Sequence, residues 1–183
     1  MDAIDVDLGD GYRMRSLRAG DVDELFALTT AEQEHLRPWM PWASNLAHEN
    51  TQTYVTSALE LVEAGKSLPT VIVGPDGAIA GATGFNLVDA LHARAAIGYW
   101  LASAHVGRGL MTAAVRALLD HGFGTLELHR IEIGAAPDNT RSRAVPERLG
   151  FTEEGRLRES ERFGDRYGDI VVYSLLAHEW ANR

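Results

Sequence analysis

The apolar residues of this chain change their spacing at Leu68, from a helical repeat to a strand repeat, and a chain that carries both must fold as a mixed α and β structure. Before the change, Val22, Leu25, Phe26 and Leu28 form a stripe behind Asp21, a residue type that caps helices, and Thr29 to Leu36 extends that helix. Pro38 and Pro41 interrupt regular structure around Trp39 and Trp42. Tyr54, Val55, Ala58, Leu59 and Val62 then predict a second helix that stops at Gly65, and a strand over Tyr12–Ser16 precedes both helices.

After the change, Val71 to Val73, the turn Gly74-Pro75-Asp76-Gly77 and Ile79 to Leu87 read as a hairpin, with Ala95 to Leu101 as a third strand. A helix from about Gly109 to Phe123, a strand from Arg130 to Ala135, a short helix from about Ser142 to Leu149 and a final strand from Ile170 to Leu176 complete the pattern. This order predicts an α/β or α+β fold, a mixed sheet with helices on its faces. With 183 residues, 45% of them hydrophobic, and no linker or repeat, residues 1–183 are expected to form one domain.

The absence of cysteine excludes disulfides, thiolate metal sites and a cysteine nucleophile, so the chemistry must come from oxygen, nitrogen or a cofactor. The seven histidines show no His-x-x-x-His spacing, and no metal site is expected. The N-terminal stretch Met1 to Asp7 is acidic, and no apolar run approaches membrane-spanning length, so a soluble cytoplasmic protein without membrane association is expected. A net charge of -9 argues against nucleic acid as a partner. Within residues 1–64, 12 acidic side chains face 4 basic ones, while arginines crowd the later chain. One half can attract a cationic substrate and the other a phosphorylated ligand; the alternative is an unevenly charged solvated surface.

His105-Val106-Gly107-Arg108-Gly109-Leu110-Met111-Thr112 joins the strand ending at Leu101 to the central helix. A glycine turn at a helix N-terminus presents free N–H groups and the positive dipole end to a phosphate or pyrophosphate. The alternative is a plain strand-to-helix connection. The turn lacks the Gly-Lys-Ser/Thr of a P-loop and the third glycine of a dinucleotide fingerprint.

Here the sequence resembles the GNAT superfamily, and within it the RimJ/RimL-type protein N-acetyltransferases. Their pyrophosphate-binding Gln/Arg-x-x-Gly-x-Gly/Ala turn aligns with Val106-Gly107-Arg108-Gly109-Leu110-Met111, Val106 and Met111 departing from it. Pro137-Asp138-Asn139-Thr140-Arg141-Ser142, followed by Leu149-Gly150-Phe151, looks like the Asn-x-x-Ser signature of this group. The resemblance implies a mostly antiparallel central sheet flanked by helices. It also implies acetyl-CoA as co-substrate, held through the backbone of Trp100, Leu101, Val106, Gly107, Arg108, Gly109, Leu110, Met111 and Thr112, with Asn139 on the pantetheine arm. Ser142 would lie near the leaving sulfur, and His35, Trp39 and Trp42 beside the acceptor. Asn139 and Ser142 are equally good helix caps.

Amine acylation by a thioester needs a neutral amine, an aligned carbonyl, oxyanion stabilisation and a proton for the thiolate. By the same resemblance Glu161 is the base, with Glu159 as competitor and a surface ion pair as the alternative reading of either. Pro146 stands where many relatives carry a tyrosine acid, which leaves Ser142 to hydrogen-bond the thiolate. The implied activity is N-acetyl transfer to an amine, a protein N-terminal α-amine or a small amine. A succinyl or other acyl donor, or a non-catalytic acyl-CoA sensor, is the alternative. Related enzymes often form dimers, and a homodimer is the assembly the resemblance allows.

Overall fold

Eight strands form one sheet in the order β1-β2-β3-β4-β5-β6-β8-β7 in the computed structural model, which describes residues 2–182; Met1 and Arg183 lie outside the described residues. The strands are β1 (Asp5–Gly9), β2 (Tyr12–Ser16), β3 (Leu68–Val73), β4 (Ile79–Asp89), β5 (Arg94–Leu101), β6 (Arg130–Ala135), β7 (Thr152–Phe163) and β8 (Arg166–Leu176). Every neighbouring pair is antiparallel except β5 and β6. The helices are α1 (Val22–Ala31), α2 (Gln33–Leu36), α3 (His48–Glu63), α4 (Leu110–Asp120), α5 (Thr140–Arg148) and α6 (Ala177–Ala181). The mixed, mostly antiparallel sheet expected from the sequence is the one observed.

Alternation along the strands sends side chains to two faces, and each face has its own core. Met14, Ile72, Phe85, Ile97, Ile131 and Ile133 pack with Ala114, Val115, Leu118 and Leu119 of α4 in the larger cluster. On the other face Leu17, Val71 and Ile79 pack against Leu25 of α1 and Val55 and Ala58 of α3.

The departures from the sequence reading have local causes. β1 was not expected; its exposed residues alternate with half-buried ones, a weak apolar signal at a sheet edge. α3 starts six residues before Tyr54, because the apolar stripe marks only the part of the helix that packs. A final strand at Ile170–Leu176 becomes half of a long hairpin, since β7 is exposed almost throughout and its Glu-Arg alternation carries no core face. Asp21 stands at the N-cap position of α1 but makes no side-chain cap. Its carboxylate accepts two hydrogen bonds from Arg15 at 2.8 Å each, and one from the Arg18 N–H at 2.8 Å.

Candidate active site

β5 and β6 are paired only from Arg94–Ile97 against Arg130–Ile133. Beyond that point β5 continues to Leu101 alongside β4, and β6 continues to Ala135 alongside β8, so the two strands part. The edges that face each other across the gap keep backbone donors and acceptors with no ladder partner, an arrangement that binds an extended amide-bearing chain. A cavity of about 710 Å³ runs out of this wedge to the helices α1 and α3, a size typical of small-molecule sites, about 300–1,000 Å³. At the wedge its wall is Gly98, Gly134, Ala135 and Ala136, residues small enough to admit a slender ligand.

Asn139 and Ser142 reach the cavity from the start of α5, Glu161 from β7, Trp39 and Trp42 from the segment before α3, and Trp100 from β5. The Trp42 and Trp100 rings meet at a centroid distance of 6.0 Å and a tilt of 59°. Glu161 is the one formally charged side chain in the lining among the described residues, and it belongs to no ion pair there. Glu159 does not line the cavity. Its φ is 50°, and its N–H donates to Asp169 at 2.8 Å, at an irregularity in the pairing of β7 with β8 between Leu157 and Glu161. Arg156 takes the Asp169 carboxylate and Arg162 the Gly164 carbonyl, so these two guanidinium groups are engaged away from Glu161.

Asn139 caps α5, its Oδ1 accepting the Ser142 N–H at 3.1 Å. That use of the oxygen leaves the Nδ2 hydrogens to the cavity. Pro146 falls inside α5 and has no N–H to give to the carbonyl of Ser142, four residues earlier. The Tyr99 hydroxyl donates to that carbonyl at 2.8 Å instead. Burial raises the Tyr99 phenol far above its ordinary pKa, so it stays protonated and donating.

The glycine turn lies outside the cavity lining, at the N-terminus of α4. Gly107 and Gly109 have φ of 80° and 75°, and a Cβ at either would meet nothing within 4 Å, so glycine is required there by the backbone and not by crowding. Val106 follows a 3-10 turn over Ser103–His105, the Arg108 guanidinium donates to the Ala104 carbonyl at 3.4 Å, and the Thr112 hydroxyl accepts from Arg148 at 3.1 Å. Leu110 and Met111 bury their side chains in the core, which leaves only their N–H groups to a ligand. Leu101 also packs on the core, and only its backbone follows the wedge. His35 is half-buried on α2 and is not among the cavity residues.

Two features of the site escaped the sequence reading. One is the row Asn50, Thr51, Tyr54 and Ser57 along α3, neutral polar residues on the cavity, whose helical spacing was the available signal. The other is Asn86 on β4, which sits at a shift of register between Phe85 and Leu87 and has no local sequence mark.

A model of the acetyltransferase (GNAT) domain matches residues 12–152. The putative ribosomal N-acetyltransferase YdaF of Bacillus subtilis is 36% identical, over 91% of this chain and 92% of its own. Mycobacterium smegmatis RimJ, solved in complex with CoA-disulfide, is 33% identical with a TM-score of 0.85, covering 97% of this chain and 87% of that one. RimL, a ribosomal L7/L12 alpha-N-protein acetyltransferase solved with coenzyme A, is 25% identical with a TM-score of 0.90, covering 96% of this chain and 99% of that one. A domain match over most of the sequence, and a relative this similar along nearly its whole length, lead to one conclusion: the chain belongs to the GNAT acetyltransferase family.

Proposed function

We propose that this chain transfers acetyl from acetyl-CoA to a primary amine by direct attack, with Glu161 as the base and Ser142 as hydrogen-bond donor to the departing sulfur. The observation that carries the reading is the wedge between β5 and β6, which opens into a cavity lined by a single carboxylate, Glu161, together with Asn139 and Ser142 from the α5 N-terminus. The free edge of β5 and the Asn139 amide hold the pantetheine arm, and the N–H groups at Gly107–Thr112 receive the pyrophosphate. Glu161 attracts the acceptor as its ammonium ion and takes a proton from it, directly or through water. The freed nitrogen lone pair forms the C–N bond as the C–S bond breaks; the nitrogen gives up its second proton, which passes through water to the thiolate held by the Ser142 hydroxyl, and Glu161 releases the first to solvent. N–H groups on β5 near Trp100 stabilise the charge that develops on the carbonyl oxygen.

The wedge supports a small neutral acyl group: no arginine lines the cavity among the described residues, so a succinyl carboxylate would find no cationic partner in that lining. For the acceptor, the likeness to YdaF and RimL supports a protein N-terminal α-amine of the ribosomal type. The same reading has residues 1–183 acting in the cytoplasm as one catalytic domain, with a homodimer to be checked by sedimentation.

Release of thiol from acetyl-CoA, followed across peptides beginning with different residues and across small amines, tests the proposal. Turnover with an N-terminal α-amine, and its loss in Glu161→Gln with coenzyme A affinity retained, is the expected result. Tight coenzyme A binding without turnover on any amine would overturn it.

A further inference from the structure

Asn86 is the extra residue of β4: Phe85 pairs with Ile97 and Leu87 with Ala96, and Asn86 between them has no partner on β5. Such a bulge re-aims a side chain, and bulges gather beside active sites. Here the carboxamide lies over Gly98, where an added Cβ would overlap Asn86 Nδ2. Gly98 is the first residue of β5 beyond its last pair with β6, so Asn86 stands at the apex of the wedge. Gly98 and Trp100 alternate with Ile97, which points into the core under α4, and so belong to the opposite face, toward α3 and the acceptor. The Asn86 carboxamide makes no hydrogen bond with another of the described residues.

The surrounding cavity carries one carboxylate, Glu161, and otherwise neutral polar and apolar groups, Asn50, Thr51, Tyr54 and Ser57 among them. One carboxylate matches one ammonium group. The adjoining hollow beyond Trp39, Ala136 and Phe163 balances Asp138 and Asp169 with Arg156 and Arg166, so the further charges of a polyamine meet no net negative charge, whereas an uncharged chain of amides finds donors and acceptors in the cavity. We infer that Asn86 is a specificity-determining residue that donates a hydrogen bond from Nδ2 to the carbonyl next to the reacting amine, selecting α-amino amides, and hence peptide N-termini, over alkylamines and polyamines. The inference rests on the acetyl transfer proposed above.

A matched pair of acceptors tests it: alaninamide, and isopropylamine, which has a methyl group in place of the amide. In Asn86→Ala, kcat/KM for alaninamide falls by about tenfold, chiefly through KM, as for one lost hydrogen bond. The values for isopropylamine and the KM for acetyl-CoA stay as in the unmodified protein. Asn86→Asp, which exchanges the N–H donor for an acceptor of the same shape, loses alaninamide equally. Spermidine is a poorer acceptor than alaninamide for the unmodified protein. An equal fall for both small amines, no fall for either, retained alaninamide activity in Asn86→Asp, or a raised acetyl-CoA KM would each overturn the assignment. If the unmodified protein acetylates no amine at all, the proposed reaction itself has failed, which separates the two outcomes.

Discussion

The Tyr99 hydroxyl donates to the Ser142 carbonyl at 2.8 Å, which joins the free end of β5 to the first turn of α5 across the wedge. Ser142 needs this donor because Pro146 has no N–H to complete the helix bond to it. Removing the hydroxyl leaves a poorly accessible carbonyl unpaired, so Tyr99→Phe is expected to cost about 1–2 kcal/mol in denaturant unfolding. Pro146→Ala returns an N–H to the helix. In that background the same substitution should cost less than half as much, a coupling that a double-mutant cycle reads directly.

Glu161 and Glu159 are expected to separate cleanly. Glu161→Gln should reduce kcat/KM by roughly 10²–10⁴-fold, the usual contribution of a general base. Coenzyme A binding by calorimetry should be unchanged. Glu159→Gln, at a position that does not line the cavity, should stay within about twofold of the unmodified protein, the scale of a surface substitution.

Gly107→Val and Gly109→Val test the turn. No neighbouring atom obstructs the new side chain at either position, so any effect comes from forcing a β-branched residue into the left-handed region, roughly 1–2 kcal/mol or more per site. Relaxation of the turn away from its N–H array should weaken coenzyme A binding by tenfold or more, while Val106→Gln changes it little. Folded glycine variants that retain full affinity would rule out the turn as the pyrophosphate site.

The Arg15–Asp21 pair is nearly buried, with side-chain exposures of 17% and 7%. Burial by itself would raise the Asp21 carboxyl, but the hydrogen bonds from Arg15 and from the Arg18 N–H outweigh it and hold the pKa below the ordinary carboxylate value. A lowered folded pKa stabilises the protein above the unfolded value, near about pH 3.9, and that stabilisation is lost as pH falls through the folded value. Asp21→Ala should therefore cost about 3–5 kcal/mol at neutral pH. In melts taken from pH 6 down to pH 3, its deficit should shrink toward the acid end.

What was legible in the sequence is what short-range chemistry decides. The strand at Tyr12–Ser16 was predicted at its observed limits, the turn Gly74 to Gly77 joins the expected hairpin, and Leu110 to Asp120 is helical as its apolar stripe requires. Asn139 caps α5 because its side chain reaches an N–H three residues on, a contact any sequence with that spacing can make. Asp21 shows the limit of that logic, since the same type of residue was claimed by Arg15 instead.

The site itself depended on groups far apart in the chain. Two residues apart on a strand, Glu159 and Glu161 would share a face by periodicity alone, and no sequence rule separates them. The irregular pairing of β7 with β8 and the positive φ of Glu159 break the alternation, and only Glu161 enters the cavity. The parting of β5 from β6, the bulge that lifts Asn86 over Gly98, and the match between Pro146 and Tyr99 arise in the same way. Each is set by the register of strands or by a partner tens of residues distant, whereas helix caps, turns and apolar stripes are set by neighbours. Local chemistry therefore determined the elements, and the way the sheet opens between β5 and β6 decided where a ligand can sit.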